Sequence, residues 1–121
     1  MNAGTSAIST TMMLLKHEDH LIMVDDVYAG TQKYLRDIYG PRIGWSEGNG
    51  FDYCAICESV DNLKAALKPN TKMVWIEGQT NPILKVAHIE ACAKAIKEHE
   101  AKVGHQIIFV VDNTFNSPML V

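Results

Sequence analysis

Acidic residues stand directly after three short apolar runs of the sequence: Asp25 with Asp26, then Glu77, then Asp112. The runs before them are rich in β-branched residues, which predicts strands of the kind that lie buried in a parallel sheet. Open α/β sheets bind ligands in the crevice beyond the carboxyl ends of their strands. A carboxylate there can pair with a cationic ligand group, although Asp also forms turns. Each acid is therefore both a candidate site residue and a candidate turn former.

Polar and aromatic residues lie close to these predicted strand ends. Gly4 precedes a helical pattern, and the free backbone N–H groups at a helix start can bind an anion such as phosphate. Tyr28, Asn81 and Thr114 lie in the segments that follow the predicted strands. Together with the acids, these residues predict one crevice with an anion site, an aromatic face and a carboxylate. This combination suits a phosphorylated aromatic cofactor.

The elements that must position these residues alternate along the chain, which predicts an α/β fold with a mostly parallel sheet. Strands are predicted at residues 21–24, 51–57, 72–76 and 107–111. Helices are predicted at residues 5–16, 31–38, 60–67 and 86–101, the third capped by Ser59. Residues 39–50 have no steady period and predict an exposed loop. The last strand is predicted to be covered on both faces, as in the middle of a sheet.

The cysteines offer a second kind of chemistry. Cys54 and Cys57 form a C-x-x-C pair, a spacing used by zinc and redox sites. A second Cys or His pair at metal-ligand spacing does not follow, so buried thiols are the favoured interpretation. His88 and Cys92 lie four residues apart on a predicted helix, where a core Cys beside a surface His is favoured over a metal pair. We predict no metal site.

Length and composition limit the remaining function classes. The 121 residues suffice for one domain with a real core. The net charge of −3, with scattered Lys and Arg, offers no basic face for nucleic acid or anionic lipid. Apolar runs are far shorter than a membrane span, and the N-terminus lacks a signal-peptide layout. We predict a cytoplasmic protein with neither a nucleic-acid nor a membrane partner.

Four segments carry a more specific signal: D-D-V-Y-A-G-T at residues 25–31, V-W-I-E at 74–77, T-N-P at 80–82 and V-D-N-T-F at 111–115. In order and spacing they resemble the pyridoxal 5′-phosphate (PLP) domain of the cystathionine γ-lyase family of Cys/Met metabolism. The resemblance covers nearly the whole chain apart from residues 39–50. It implies an α/β fold that is part of the large domain of fold-type I PLP-dependent transferases. Residues 1–121 would then be a partial PLP-binding domain.

The resemblance implies two catalytic residues. In this family the acid of V-D-N-T-F pairs with the pyridine nitrogen of the cofactor, and the matching residue is Asp112. A buried carboxylate keeps that nitrogen protonated, so that the ring can accept electrons from a carbanion at the substrate α-carbon. Tyr28 matches the aromatic residue that stacks on the ring and can help with proton transfer.

The resemblance also implies a set of cofactor-binding residues. Gly4 and Thr5 match the turn whose backbone N–H groups bind the cofactor phosphate, although Ala3 stands where the family has Ser. The other implied cofactor contacts are Tyr28, Glu77, Asn81, Asp112 and Thr114.

The implied activity is that of a carbon–sulfur lyase that cleaves cystathionine to cysteine, or acts on a related sulfur amino acid, in a homo-oligomeric parent. Gly30, where methionine γ-lyases carry Cys, favours the cystathionine enzymes. Elimination and replacement begin with the same carbanion, and both stay open. The family's covalent lysine lies in an S-x-T-K motif that these 121 residues do not contain, and no helix follows the last predicted strand. We therefore expect a fragment that is inactive alone.

Two alternatives to a catalytic assignment stay open. One is a receiver-like signalling domain, because I-M-V-D-D at residues 22–26 imitates the acid pair after a receiver's first strand. That pair should come nearer the chain start, and Cys57 stands roughly where a phosphorylatable Asp is required. The other is a non-catalytic product that associates with full-length subunits.

Overall fold

Five parallel strands form one sheet in the computed structural model, which describes residues 4–80 and 83–114. The strands are β1 (His20–Val24), β2 (Ser46–Glu47), β3 (Gly50–Cys54), β4 (Thr71–Glu77) and β5 (Ile108–Asp112). Their order across the sheet is β2-β3-β1-β4-β5. The helices are α1 (Gly4–Met12), α2 (Ala29–Lys33), α3 (Gly40–Ile43), α4 (Val60–Ala66) and α5 (Ile89–Val103). A π-helical stretch, Tyr34–Tyr39, joins α2 to α3. The predicted α/β fold is confirmed.

Helices cover both faces of the central strands. Side chains alternate between the faces along a strand, so Trp75 of β4 packs with Ile8 of α1 in one apolar cluster. Val74 of β4 packs with Cys92 and Ile96 of α5 in the other cluster. The two central strands, β1 and β4, are buried along almost their whole length. This arrangement explains why their sequences are nearly continuous apolar runs.

The amino ends of the central strands are joined by a polar network around His20, which is buried. His20 Nε2 donates to Asp52 Oδ2 at 2.9 Å, and its Nδ1 lies 2.7 Å from the hydroxyl of Thr71. Lys68 Nζ also pairs with Asp52 Oδ2, at 3.0 Å. Burial is the main cause of the lowered pKa of His20. The network links β1, β3 and β4 near the amino ends of the strands, away from their carboxyl ends.

Residues 39–50 are more ordered than the predicted exposed loop. They contain α3 and β2, and the indole of Trp45 is buried among the residues of the first cluster. Trp45 Nε1 donates to the carbonyl of His17 at 2.8 Å. Gly50 lies against the ring, where a Cβ would come within 2.3 Å of Trp45 Cγ. The loop prediction was therefore wrong for this part, because a single buried aromatic anchors a segment that has no periodic pattern.

The last strand does not lie in the middle of the sheet. Within the part of the chain that the structure describes, β5 is an edge strand that pairs only with β4. All five of its residues are half-buried. Its side chains nevertheless pack on both faces, with Ile108 and Val110 against the first cluster and Phe109 and Val111 against the second. Among the described residues, the predicted position in the middle of the sheet was wrong, because β5 has a neighbouring strand on one side only.

Helix boundaries also shift from the predicted ones. Ser59 caps α4 as predicted, accepting a hydrogen bond from Asp61 N at 3.1 Å. The last helix begins at Ile89 rather than at Val86, because Val86 forms an isolated bridge with Gln79 and is held in extended backbone. Among the described residues, no helix has the length and apolar character needed to cross a membrane.

Candidate active site

A cavity of about 310 Å³ opens at the carboxyl ends of β4 and β5, next to the start of α1. It is lined by Gly4, Thr5, Ile8, Tyr28, Glu77, Gln79, Asp112 and Thr114. The lining contains every site residue that the family resemblance implies except Asn81, which lies outside the described residues. The candidate acids Asp25 and Asp26 do not line it. The structure therefore brings the lining residues together at one edge of the sheet.

The start of α1 forms one end of the cavity. Gly4 and Thr5 are exposed first-turn residues, and N–H groups of a first helical turn have no partner within the helix. Among the described residues, no atom lies within 4 Å of the position that a Cβ at Gly4 would occupy. Ile8 lies one turn further along the same helix and adds an apolar wall. Ile8 was not predicted as a cavity residue, although its i+4 spacing from Gly4 places it on the same helix face.

Glu77 and Asp112 end neighbouring strands and are paired in register. Glu77 is only 4% exposed. Its burial raises the pKa of the carboxyl group from 4.5 to about 7, opposed by the hydrogen bond from Tyr28 N and reinforced by the charges of Asp112 and Asp26. A carboxyl group with this pKa exchanges its proton near neutral pH, which is unusual for Glu.

Asp112 has a different environment from that of Glu77. It is half-buried, whereas the sequence interpretation assumed a buried carboxylate. Its Oδ1 accepts a hydrogen bond from Thr114 N at 3.1 Å and another from the hydroxyl of Thr114. These two bonds fix the orientation of the carboxylate at the edge of the cavity. Thr114 therefore orients Asp112 in addition to lining the cavity itself.

Tyr28 supplies an aromatic wall. Its side chain is 45% exposed, and its backbone N–H donates to Glu77 Oε1. The ring lies over Gly30, where a Cβ would come within 2.5 Å of Tyr28 Cε1. Only Gly at this position leaves the ring in its present place. The sequence pattern distinguishes Gly30 from the Cys of methionine γ-lyases but does not predict its contact with the Tyr28 ring.

The remaining acids of the predicted strand ends are structural. Asp26 Oδ2 accepts hydrogen bonds from the Thr80 hydroxyl at 2.6 Å and from Ile83 N at 3.0 Å. Asp25 Oδ2 pairs with Lys85 Nζ at 3.2 Å. Both carboxylates thus hold the segment after β4. Gln79, another lining residue that sequence analysis did not select, lies at the start of this segment.

The thiols do not form a reactive site. Cys54 and Cys92 are buried and Cys57 is half-buried, and burial raises the pKa of all three. The pKa of Cys54 reaches about 11. Thiols with raised pKa values are poor nucleophiles at neutral pH. Across residues 4–80 and 83–114, no group of three or more His, Cys, Asp or Glu side chains could hold a metal ion.

Comparisons with known proteins identify the family and the fold. The family model described as "Cys/Met metabolism PLP-dependent enzyme" matches residues 1–121. The chain is 41% identical over 119 residues to human cystathionine gamma-lyase, covering 96% of this chain and 26% of that protein. It is 42% identical over 118 residues to cystathionine gamma-lyase of Bos taurus, covering 95% of this chain and 26% of that protein.

A solved structure with the same fold is that of cystathionine gamma-lyase from Lactobacillus plantarum complexed with L-serine. The TM-score is 0.81 and the sequence identity 31%, with coverage of 96% of this chain and 27% of that one. The chain thus spans about a quarter of the length of the relatives that it matches. Family membership argues against the receiver-like alternative. The chain belongs to the PLP-dependent enzymes of Cys/Met metabolism.

Proposed function

We propose that the cavity holds PLP and serves a carbon–sulfur lyase that acts on cystathionine or a related sulfur amino acid. The observation that carries this proposal is that one cavity collects a helix start, an aromatic ring and a carboxylate at a strand end. Each of these three features matches one part of the cofactor. The substrate class rests on the family and on the names of the related lyases.

The donor set fits the cofactor chemically. The first-turn N–H groups at Gly4 and Thr5 suit the phosphate, because a helix start combines free donors with the positive end of the helix dipole. Asp112 suits the ring nitrogen, which is cationic when protonated. Tyr28 offers a ring face for stacking. The volume of about 310 Å³ lies at the lower end of the range for small-molecule sites.

When bound, PLP supplies an electron sink for a carbanion at the substrate α-carbon. Asp112 holds a proton on the ring nitrogen, because an adjacent negative charge favours the protonated form of a base. Thr114 keeps the Asp112 carboxylate oriented through its two hydrogen bonds. The Tyr28 ring would form one side of the site, and its phenol would donate a proton at the reacting atoms and, once ionised, take one back.

We also propose a cytoplasmic, homo-oligomeric protein, on the strength of the family resemblance. Asn81 stays a predicted cofactor contact. Both elimination and replacement are compatible with this proposal, because the related proteins include lyases and a probable cystathionine gamma-synthase from Herpetosiphon aurantiacus.

An Asp112→Ala substitution in the full protein tests the assignment of the ring-nitrogen partner. We expect it to lose most of the release of cysteine from cystathionine, because the ring nitrogen loses the charge that keeps it protonated. The matched control is Glu98→Ala, which removes a carboxylate that is exposed on α5 at the other face of the sheet. Unchanged cysteine release by Asp112→Ala, with its circular dichroism spectrum retained, would reject the role of Asp112.

A further inference from the structure

Glu77 makes a contact that its position at a strand end does not by itself require. Its Oε1 accepts the backbone N–H of Tyr28, a residue 49 positions earlier in the chain. Glu77 as a whole is 4% exposed, yet it also lines the cavity. The bond therefore joins the end of β4 to the segment between β1 and α2. It does so directly beside the proposed cofactor.

We propose that Glu77 is a positioning residue: its carboxyl group anchors the main chain of Tyr28, sets where the phenol ring stands at the cavity, and makes that position depend on its own protonation. The importance of the ring for the reaction rests on the proposed function. The anchor itself does not, and it can be measured in the free protein.

The anchor matters because, in the part of the chain that the structure describes, the side chain of Tyr28 makes no hydrogen bond. The residue caps the continuous helical run formed by α2, the π-helical stretch and α3, and its side chain makes no capping hydrogen bond. On its other side, the carbonyl of Tyr28 accepts Gln32 N at 3.0 Å. The 45% exposed ring rests over Gly30, which contributes no side chain to hold it. The bond to Glu77 thus connects the main chain of this residue directly to the end of β4.

Charges around Glu77 make the anchor responsive to pH. Asp112 faces it from β5, and Asp26 faces it from the turn after β1. These negative charges and the burial of the group keep the proton on Glu77 up to a pKa of about 7. An ionised carboxylate is a stronger hydrogen-bond acceptor than a neutral carboxyl group. Loss of the proton should therefore tighten the bond to Tyr28 N while placing a second negative charge beside Asp112.

The amide signal of Tyr28 in a ¹⁵N–¹H correlation spectrum tests the anchor directly. In the free protein between pH 5 and pH 9, we expect this signal to shift with a midpoint at about 7. Glu77→Gln keeps an oxygen acceptor but cannot titrate, so its Tyr28 signal should stay constant. Glu98→Gln, the same change at an exposed site on α5, should titrate like the wild type. A flat wild-type signal, or an unchanged titration in Glu77→Gln, would overturn the proposal.

A second readout uses the affinity for pyridoxine 5′-phosphate, a probe without the aldehyde that reacts with lysines. At pH 6, where Glu77 is mostly protonated, Glu77→Ala should weaken binding about tenfold, the effect of one lost hydrogen bond, whereas Glu77→Gln should largely restore it. Equal affinity of Glu77→Ala and the wild type would contradict the positioning role. If the wild type does not bind the probe, the proposed cofactor site fails, and the Tyr28 signal still decides the anchor.

Discussion

Glu77 and Asp112 stand side by side at the ends of neighbouring strands, yet their surroundings differ. Asp112 is half-buried and held by Thr114, whereas Glu77 is enclosed and bonded to the main chain of Tyr28. Two carboxyl groups in different environments can take different roles at one site. In the proposed site, Asp112 would face the cationic ring nitrogen of PLP. Glu77 has a pKa raised to about 7, and its carboxyl group accepts the backbone N–H of Tyr28.

The raised pKa of Glu77 predicts a specific pH dependence of stability. Between pH 4.5 and about 7 the folded protein keeps a proton that the unfolded chain has lost. The free energy of unfolding should therefore fall across this interval, by about 3 kcal/mol from this group alone. Urea unfolding of wild type and Glu77→Gln at several pH values measures the effect as the difference between the two proteins.

The comparison with Glu77→Gln also removes the contribution of His20. The pKa of His20 is lowered by burial, so below pH 6.5 the unfolded chain binds more protons than the folded protein. His20 thus makes stability rise with pH in both proteins, opposite to Glu77. Parallel stability curves for wild type and Glu77→Gln would show that the pKa of Glu77 is not raised.

At the scale of elements, the sequence predicted what depends on local pattern. Continuous apolar runs located the central strands, and Ser59 located the start of α4. The segment from residue 39 to 50 escaped prediction because its order depends on contacts with distant residues. Trp45 is held by the carbonyl of His17, 28 positions earlier. A periodic pattern within the segment cannot predict a contact with a residue so far away in the sequence.

Gly50 gives a test of this packing. Its φ of +113° disfavours any other residue, and a Cβ would also overlap the Trp45 ring at 2.3 Å. We expect Gly50→Ala to lower the free energy of unfolding by roughly 2–4 kcal/mol, from backbone strain and overpacking together. Gly48→Ala is the matched control, because Gly48 has a φ of +81° but open space around its Cα. It should cost only about 1–2 kcal/mol. Equal losses in urea unfolding would refute a packing role for Gly50.

For the whole molecule, the position of the candidate site was predictable, because parallel strands all have their carboxyl ends on the same side of the sheet. Acids spaced widely in sequence therefore meet on that side, as Glu77 and Asp112 do. Which acids line the cavity depends on their hydrogen-bond and ion-pair partners, and these partners cannot be predicted from the sequence pattern. Asp25 and Asp26 hold the segment after β4 instead. The roles of individual residues toward PLP came from the family resemblance rather than from spacing.

Binding of pyridoxine 5′-phosphate to the free protein, followed residue by residue through amide signals, tests the central claim most directly. The cavity predicts saturable shifts at both of its ends, namely at Gly4 and Thr5 for the phosphate and at Asp112 and Thr114 for the ring. Tyr28 should shift with them, whereas Glu98 on α5 should not. Saturable shifts confined to α4 and α5, or an absence of saturable shifts at the cavity, would contradict a PLP site at this edge of the sheet.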